Sequence, residues 1–138
     1  MLPGDDARLL RQLLQQGWCC SSVILQLGLD MMGEENPLLV RAVSGLCGGL
    51  QRGLLCGALS GGCCMLALFS REQGEMHELS EELVNWFDAA YGSKYGGMDC
   101  SLITQNDPQR KREFCPSLIE ATYNQVKSIL LDYGRIDN

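Results

Sequence analysis

The sequence predicts an all-α protein, a single-domain bundle of five to six helices around a central helix of small residues. Apolar residues recur at helical spacing, capping residues and glycines bound these segments, and no segment alternates as a half-buried strand does. The chain has 138 residues, of which 46% are hydrophobic and 20% charged. Because this size and composition are typical of one globular unit, residues 1–138 are interpreted as a single cysteine-rich helical domain.

Three predicted helices precede the central one. The first begins at Asp5 or Asp6, either of which can cap it, and carries leucines on one face. Gly17 separates it from a second apolar helix, residues 18–32. The third follows Asn36-Pro37, a favourable cap with proline at the first helical position.

The predicted central helix, residues 56–69, is rich in glycine, alanine, serine and cysteine. It lies in an uncharged run, residues 53–70, that reaches the length of a membrane span. The small and polar residues make this run only mildly apolar, and they also allow a soluble helix to pack closely against its neighbours. We therefore predict a buried helix and no membrane span.

The C-terminal half contains two more predicted helices. One begins near Ser80 and ends at Gly92. Residues 93–114 are predicted to be mostly loop, with a helical turn after Cys100. Pro116 is predicted to open the last, amphipathic helix.

The charge and the cysteine count narrow the function. A net charge of −6 argues against nucleic acid and against electrostatic binding to anionic lipid. The N-terminal residues lack the basic segment and apolar core of a secretory signal, so a cytoplasmic location is expected. Eight cysteines are many for a compartment that keeps thiols reduced. Such cysteines indicate metal ligation, redox chemistry or small buried apolar side chains.

The position of each cysteine in the sequence indicates whether it fills the core or lies at a helix end. Cys19, Cys47 and Cys63 suit the interior and are predicted to fill core space. The single histidine, His77, lies in a polar stretch and is expected at the surface. Any metal site would therefore depend on thiolates.

Three other cysteines lie where helices begin or loops meet them. Cys56 and Cys115 are predicted at helix N-termini, where amide dipoles lower a thiol pKa. The basic residues 110–112 precede Cys115 and are expected to lower its pKa further, unless they are simply solvated. Cys100 follows a glycine-rich loop whose backbone can approach a ligand closely.

Four segments together resemble a known family: GWCCSSVIL, LLCGALSGGCC, KYGGMDC and REFCPSLIEATY. Over nearly its whole length the chain is similar to the C-GCAxxG-C-C family of redox-active, cysteine-rich proteins. The resemblance implies that Cys20, Cys56, Cys100 and Cys115 are the family cysteines, and that Cys64 matches a further cysteine of some members. The central motif departs from the order in the family name, because Cys56 is followed by glycine and alanine here.

Three functions stay open at this point. In the first, Cys56, Cys100, Cys115 and either Cys20 or Cys64 converge on an iron–sulfur cluster or another thiolate-bound metal ion, for electron transfer or sensing. In the second, Cys56 attacks in thiol–disulfide exchange and Cys100 or Cys115 resolves. The third is a structural or partner-binding domain with core cysteines. A redox protein partner is expected, a homodimer is compatible with the small-residue helix, and the sequence leaves open whether the protein is an enzyme.

Overall fold

The computed structural model describes residues 4–137, and helices dominate that range. No strand longer than an isolated bridge, Leu55 to Asp99, occurs within it. The all-α prediction is confirmed, with seven α-helices of five or more residues among the described residues instead of five or six. They are α1 (Asp5–Gln15), α2 (Cys20–Met32), α3 (Pro37–Val43), α4 (Gly57–Phe69), α5 (Gln73–Phe87), α6 (Cys100–Thr104) and α7 (Pro108–Asp132).

Side-chain caps explain where several helices begin. The Asn36 side chain accepts a hydrogen bond from the Leu39 amide at 3.1 Å, as the Asn-Pro signal predicts. The Glu72 carboxylate accepts from the amides of Gly74 and Glu75 at 3.0 and 2.6 Å. Helix α5 therefore begins at Gln73, and the predicted start near Ser80 is wrong.

The last helix also begins earlier than predicted. Asp107 accepts a hydrogen bond from the Gln109 amide at 3.0 Å, and Pro108 occupies the first turn of α7. Pro116 lies inside this helix, where it lacks an N–H for the hydrogen-bond ladder. The predicted loop over residues 93–114 is consequently wrong in its second part, and Cys115 lies within a helix.

Helix α4 packs against α2, α5 and α7, and its glycines permit this. A Cβ on Gly61 would lie 2.7 Å from the Ser21 Cα, so the backbones of α4 and α2 are in contact. On another side, a Cβ on Gly62 would lie 2.8 Å from Leu83. No helix of residues 4–137 is both long and apolar enough to cross a bilayer.

Large apolar side chains fill the main core between these helices. Their burial provides the principal stabilisation of the bundle, roughly 1.5–3 kcal/mol for each fully buried side chain. The set includes Leu10, Ile24, Leu59, Met65, Leu66, Leu83, Phe87 and Val126.

Candidate functional site: a cavity lined by cysteines

Cys19 and Cys47 form a disulfide. Cys19 is the residue before α2, and Cys47 follows the turn that ends α3. Cys47 is buried as predicted, whereas Cys19 is only partly buried, and the disulfide means that neither is a free core thiol. The third predicted core cysteine, Cys63, is free and packs partly buried against the main core.

Two serines that the sequence analysis did not single out flank the disulfide. The Ser21 hydroxyl is fully buried, donates to the Val43 carbonyl at 2.8 Å and lies 2.8 Å from the Cys47 Sγ. Ser22 Oγ accepts from the Cys19 amide at 3.2 Å and lies 3.3 Å from the Cys19 Sγ. These contacts fix both sulfurs against the start of α2. Paired serines after a cysteine pair, in WCCSSV, are the one sequence signal that could have indicated them.

The disulfide and four free cysteines line one cavity of about 250 Å³. The four are Cys20, Cys56, Cys100 and Cys115, which come from α2, the residue before α4, α6 and α7. The structure thus brings together four of the five cysteines predicted to form a site. Cys64 does not line this cavity and packs instead against a second core cluster formed by Leu25, Leu29, Val40 and Val43.

Backbone pairing places Cys56 and Cys100 on the same wall of the cavity. The Cys56 amide donates to the Met98 carbonyl at 3.0 Å, and the Cys100 amide donates to the Leu54 carbonyl at 2.6 Å. These bonds flank the isolated bridge between Leu55 and Asp99. The glycine-rich loop before Cys100 therefore positions the cysteine by pairing with the segment before α4.

Gly57 makes room for Cys20. A Cβ on Gly57 would lie 2.5 Å from the Cys20 Sγ and 3.2 Å from the Cys47 Cα. Both atoms therefore contact the same small space beside the first turn of α4. This places the Cys20 sulfur beside the backbone of Cys47, one of the two disulfide-bonded cysteines.

The segment between Cys47 and Cys56 covers part of the cavity in a strained conformation. Leu50 and Gln51 have positive φ values of 61° and 58°, which cost about 1–2 kcal/mol each for residues with a Cβ. The Gln51 side chain lines the cavity and donates to the Cys47 carbonyl at 3.0 Å. Strain of this kind is concentrated at functional sites.

A family model described as "Putative redox-active protein (C_GCAxxG_C_C)" matches residues 18–129 of the chain. The chain belongs to the C_GCAxxG_C_C family. The match includes all six cysteines that line the cavity. No match was found among curated proteins or among solved structures.

In this member of the C_GCAxxG_C_C family, burial raises the pKa of three cavity thiols, those of Cys20, Cys56 and Cys115. The pKa of Cys56 rises to about 12, mainly through burial and then through the nearby Cys20 sulfur, although the Ala58 and Leu59 amides act in the opposite direction. Burial likewise raises the pKa of Cys20. The prediction that the N-terminus of α4 lowers the pKa of Cys56 is wrong, because desolvation outweighs the amide dipoles.

The pKa of Cys115 results from the same two opposing effects, burial and nearby favourable electrostatics. Burial, followed by the sulfurs of Cys100 and Cys20, raises its pKa to about 11, while Lys111 and Arg110 act to lower it. The predicted lowering is wrong for two reasons, since Cys115 is not at a helix N-terminus and its sulfur is largely desolvated. Near neutral pH the thiols of Cys56 and Cys115 are consequently protonated.

A protein-bound metal ion needs three or more side chains that converge on one point. Within residues 4–137, no three side chains of His, Cys, Asp or Glu are arranged so that they could hold one ion. His77 lies on the surface, as predicted. The cavity sulfurs therefore share a space without forming a ready ligand set, and the arrangement as described does not fit a metal centre.

Proposed function

We propose that this protein carries out thiol–disulfide exchange in the cysteine cavity, with Cys19–Cys47 as its redox-active disulfide. One observation carries the proposal: a disulfide and four free thiols line the same 250 Å³ cavity. The expected cytoplasmic location stays a prediction, but it agrees with this function. Disulfides that occur in that compartment are usually catalytic or redox-sensing.

Cys20 is the proposed internal nucleophile, because its sulfur lies beside the backbone of Cys47. Its thiolate attacks the Cys47 Sγ, the Cys19–Cys47 bond breaks, and a Cys20–Cys47 disulfide forms. Cys19 leaves as a thiolate and takes up a proton equivalent to the one that Cys20 lost. This step moves the disulfide without net oxidation or reduction.

Net reduction needs an external dithiol, which is the proposed class of redox partner. The dithiol supplies two electrons and two protons, becomes a disulfide itself, and leaves Cys19 and Cys47 as thiols. Cys19 also borders an open groove next to Trp18 and Val40, so an external thiol can reach it from outside the cavity. Cys56 is less suited to a first attack on an external disulfide, since it is only 9% exposed and its pKa is raised.

The test follows the disulfide inside the native protein. Oxidised protein is held at pH 8 without reductant, quenched with acid, alkylated, and its disulfide-linked peptides are mapped by mass spectrometry. We expect Cys20–Cys47 to appear beside Cys19–Cys47, at a rate that rises about tenfold from pH 7 to 8, because the thiolate fraction does so well below a raised pKa. Cys63 and Cys64, which lie outside the cavity, should stay free throughout.

Matched variants sharpen this test. We expect Cys20→Ala to slow the migration of the disulfide by about tenfold or more, because the adjacent nucleophile is lost. Cys64→Ala, which removes a half-buried thiol outside the cavity, should leave the rate within about twofold. A disulfide that never leaves Cys19–Cys47, or equal rates in the two variants, would contradict the proposal and favour a structural domain with core cysteines.

A thiolate-bound metal ion or iron–sulfur cluster is the second candidate function. It is supported by the convergence of Cys20, Cys56, Cys100 and Cys115 on one cavity, since soft thiolates select such centres. These cysteines would have to lose their protons and approach one another more closely than they do in the described arrangement. Visible absorbance and metal analysis after anaerobic purification distinguish the two, because stoichiometric metal favours the centre, with colour if it is an iron–sulfur cluster, whereas a colourless protein with less than stoichiometric metal favours exchange.

A further inference from the structure

A second groove adjoins the cysteine cavity. It has a volume of about 580 Å³ and is more open than the cavity, with Arg11, Lys111, Arg112 and Pro116 among its lining residues. Cys115 lines both spaces, together with Leu14, Lys111 and Ile119. The Cys115 thiol therefore lies on the wall between the inner cavity and an opening to solvent.

The charge of this groove is opposite to that of the chain. The protein has a net charge of −6, yet the described residues that line the groove include three cations and no carboxylate. Arg11 is paired with Glu120 at 3.1 Å. Lys111 and Arg112 are exposed, and neither forms an ion pair within residues 4–137. Two unneutralised cations beside a thiol create a local field that attracts anions.

We propose that this groove binds a small anionic disulfide, with its carboxylates near Lys111 and Arg112 and its sulfurs at Cys115. The inference rests on the proposed function and names its substrate class. The groove volume lies within the range typical of small-molecule sites. A lysine ammonium forms a charge-assisted hydrogen bond with a carboxylate, and an arginine guanidinium can form two parallel ones.

The reaction at this groove is a thiol–disulfide exchange between Cys115 and the bound disulfide. The Cys115 thiolate attacks one sulfur of the bound disulfide, whose S–S bond breaks as a mixed disulfide with Cys115 forms. The other half leaves as a thiolate and takes up a proton, so that the bound compound is reduced and Cys115 is oxidised. A neighbouring cavity thiol can then displace the second half of the compound and form an internal disulfide.

The experiment compares three disulfides that differ in charge: oxidised glutathione, which is anionic, 2-hydroxyethyl disulfide, which is neutral, and cystamine, which is cationic. Each is mixed with fully reduced protein at pH 8 and low salt, and the mixed disulfide at Cys115 is followed by mass spectrometry. We expect the double variant Lys111→Gln/Arg112→Gln to slow the reaction with oxidised glutathione by about five- to tenfold, because two attractive charges are lost. Loss of Lys111 also removes one influence that lowers the pKa of Cys115, so each rate is divided by the rate with the neutral reagent, and this ratio should fall for oxidised glutathione and rise for cystamine.

The matched control is Arg41→Gln/Arg71→Gln, which removes the same formal charge from two exposed residues that lie outside α1 and α7 and do not line the groove. It should leave all three rates within about twofold of the wild type, since exposed charges distant from the site are screened. Equal effects of the two double variants, or glutathionylation chiefly at a cysteine other than Cys115, would overturn the groove proposal. Its failure is distinct from failure of the proposed function, because migration of the disulfide from Cys19–Cys47 is measured without any added disulfide.

Discussion

Removing the Cys19–Cys47 disulfide is expected to lower the free energy of unfolding by about 3 to 4 kcal/mol. The two cysteines are 28 residues apart, and a cross-link over that distance removes considerable loop-closure entropy from the unfolded chain. The double variant Cys19→Ala/Cys47→Ala and wild-type protein treated with a dithiol should both show this loss in urea unfolding. A loss of this size is a large part of the total stability of a domain, so the redox state should control how much of the protein is folded.

The control for this prediction is Cys63→Ala/Cys64→Ala, which removes two half-buried free thiols and leaves the cross-link intact. Only a small loss is expected there, and its stability should still fall when a dithiol is added. If reduction of the wild-type protein changed the free energy of unfolding by less than about 1 kcal/mol, the disulfide would not constrain the unfolded chain as the loop-closure model requires.

Gly61→Ala is expected to destabilise the protein by about 2–3 kcal/mol. The added Cβ would lie 2.7 Å from the Ser21 Cα, which is backbone and cannot rotate away, so α4 and α2 must separate. Because Ser21 contacts the Cys47 sulfur, this separation should also disturb the disulfide. Chemical unfolding and the rate of disulfide migration measure the two effects.

Gly45→Ala provides the comparison. No heavy atom lies within 4 Å of a Cβ at Gly45, so this substitution should have little effect or stabilise the protein by up to about 1 kcal/mol. Equal stabilities for the two alanine variants would show that α2 and α4 do not approach as closely as the contact of Gly61 with Ser21 indicates.

The fold could be predicted from the sequence because its signals are local. Asn36-Pro37 correctly marked the start of α3, and small residues correctly marked a helix that packs closely. Asp107-Pro108 is a similar signal and marks the start of α7, whereas the prediction placed that start at Pro116. When two prolines could each open a helix, the one that directly follows a capping residue such as Asn or Asp is the better indicator of the helix start.

The site was predictable only in part. The ordered cysteine motifs identified four of the cavity cysteines, whereas the disulfide joins residues 28 positions apart and no local spacing indicates it. The family resemblance separates Cys20 from the adjacent Cys19, but no local signal indicates that Cys19 is the cross-linked one and Cys20 the free one. The pKa predictions failed because helix dipoles can be inferred from sequence, whereas desolvation depends on tertiary packing.

A redox titration tests the central claim most directly. Protein is equilibrated in dithiol–disulfide buffers of defined potential, quenched with acid and alkylated, and the state of each cysteine is measured by mass spectrometry. Exchange in the cavity predicts one reversible two-electron transition of Cys19 and Cys47 at a potential above about −300 mV, with Cys63 and Cys64 unchanged. A disulfide that stays oxidised well below that potential would contradict this and identify Cys19–Cys47 as a purely structural cross-link.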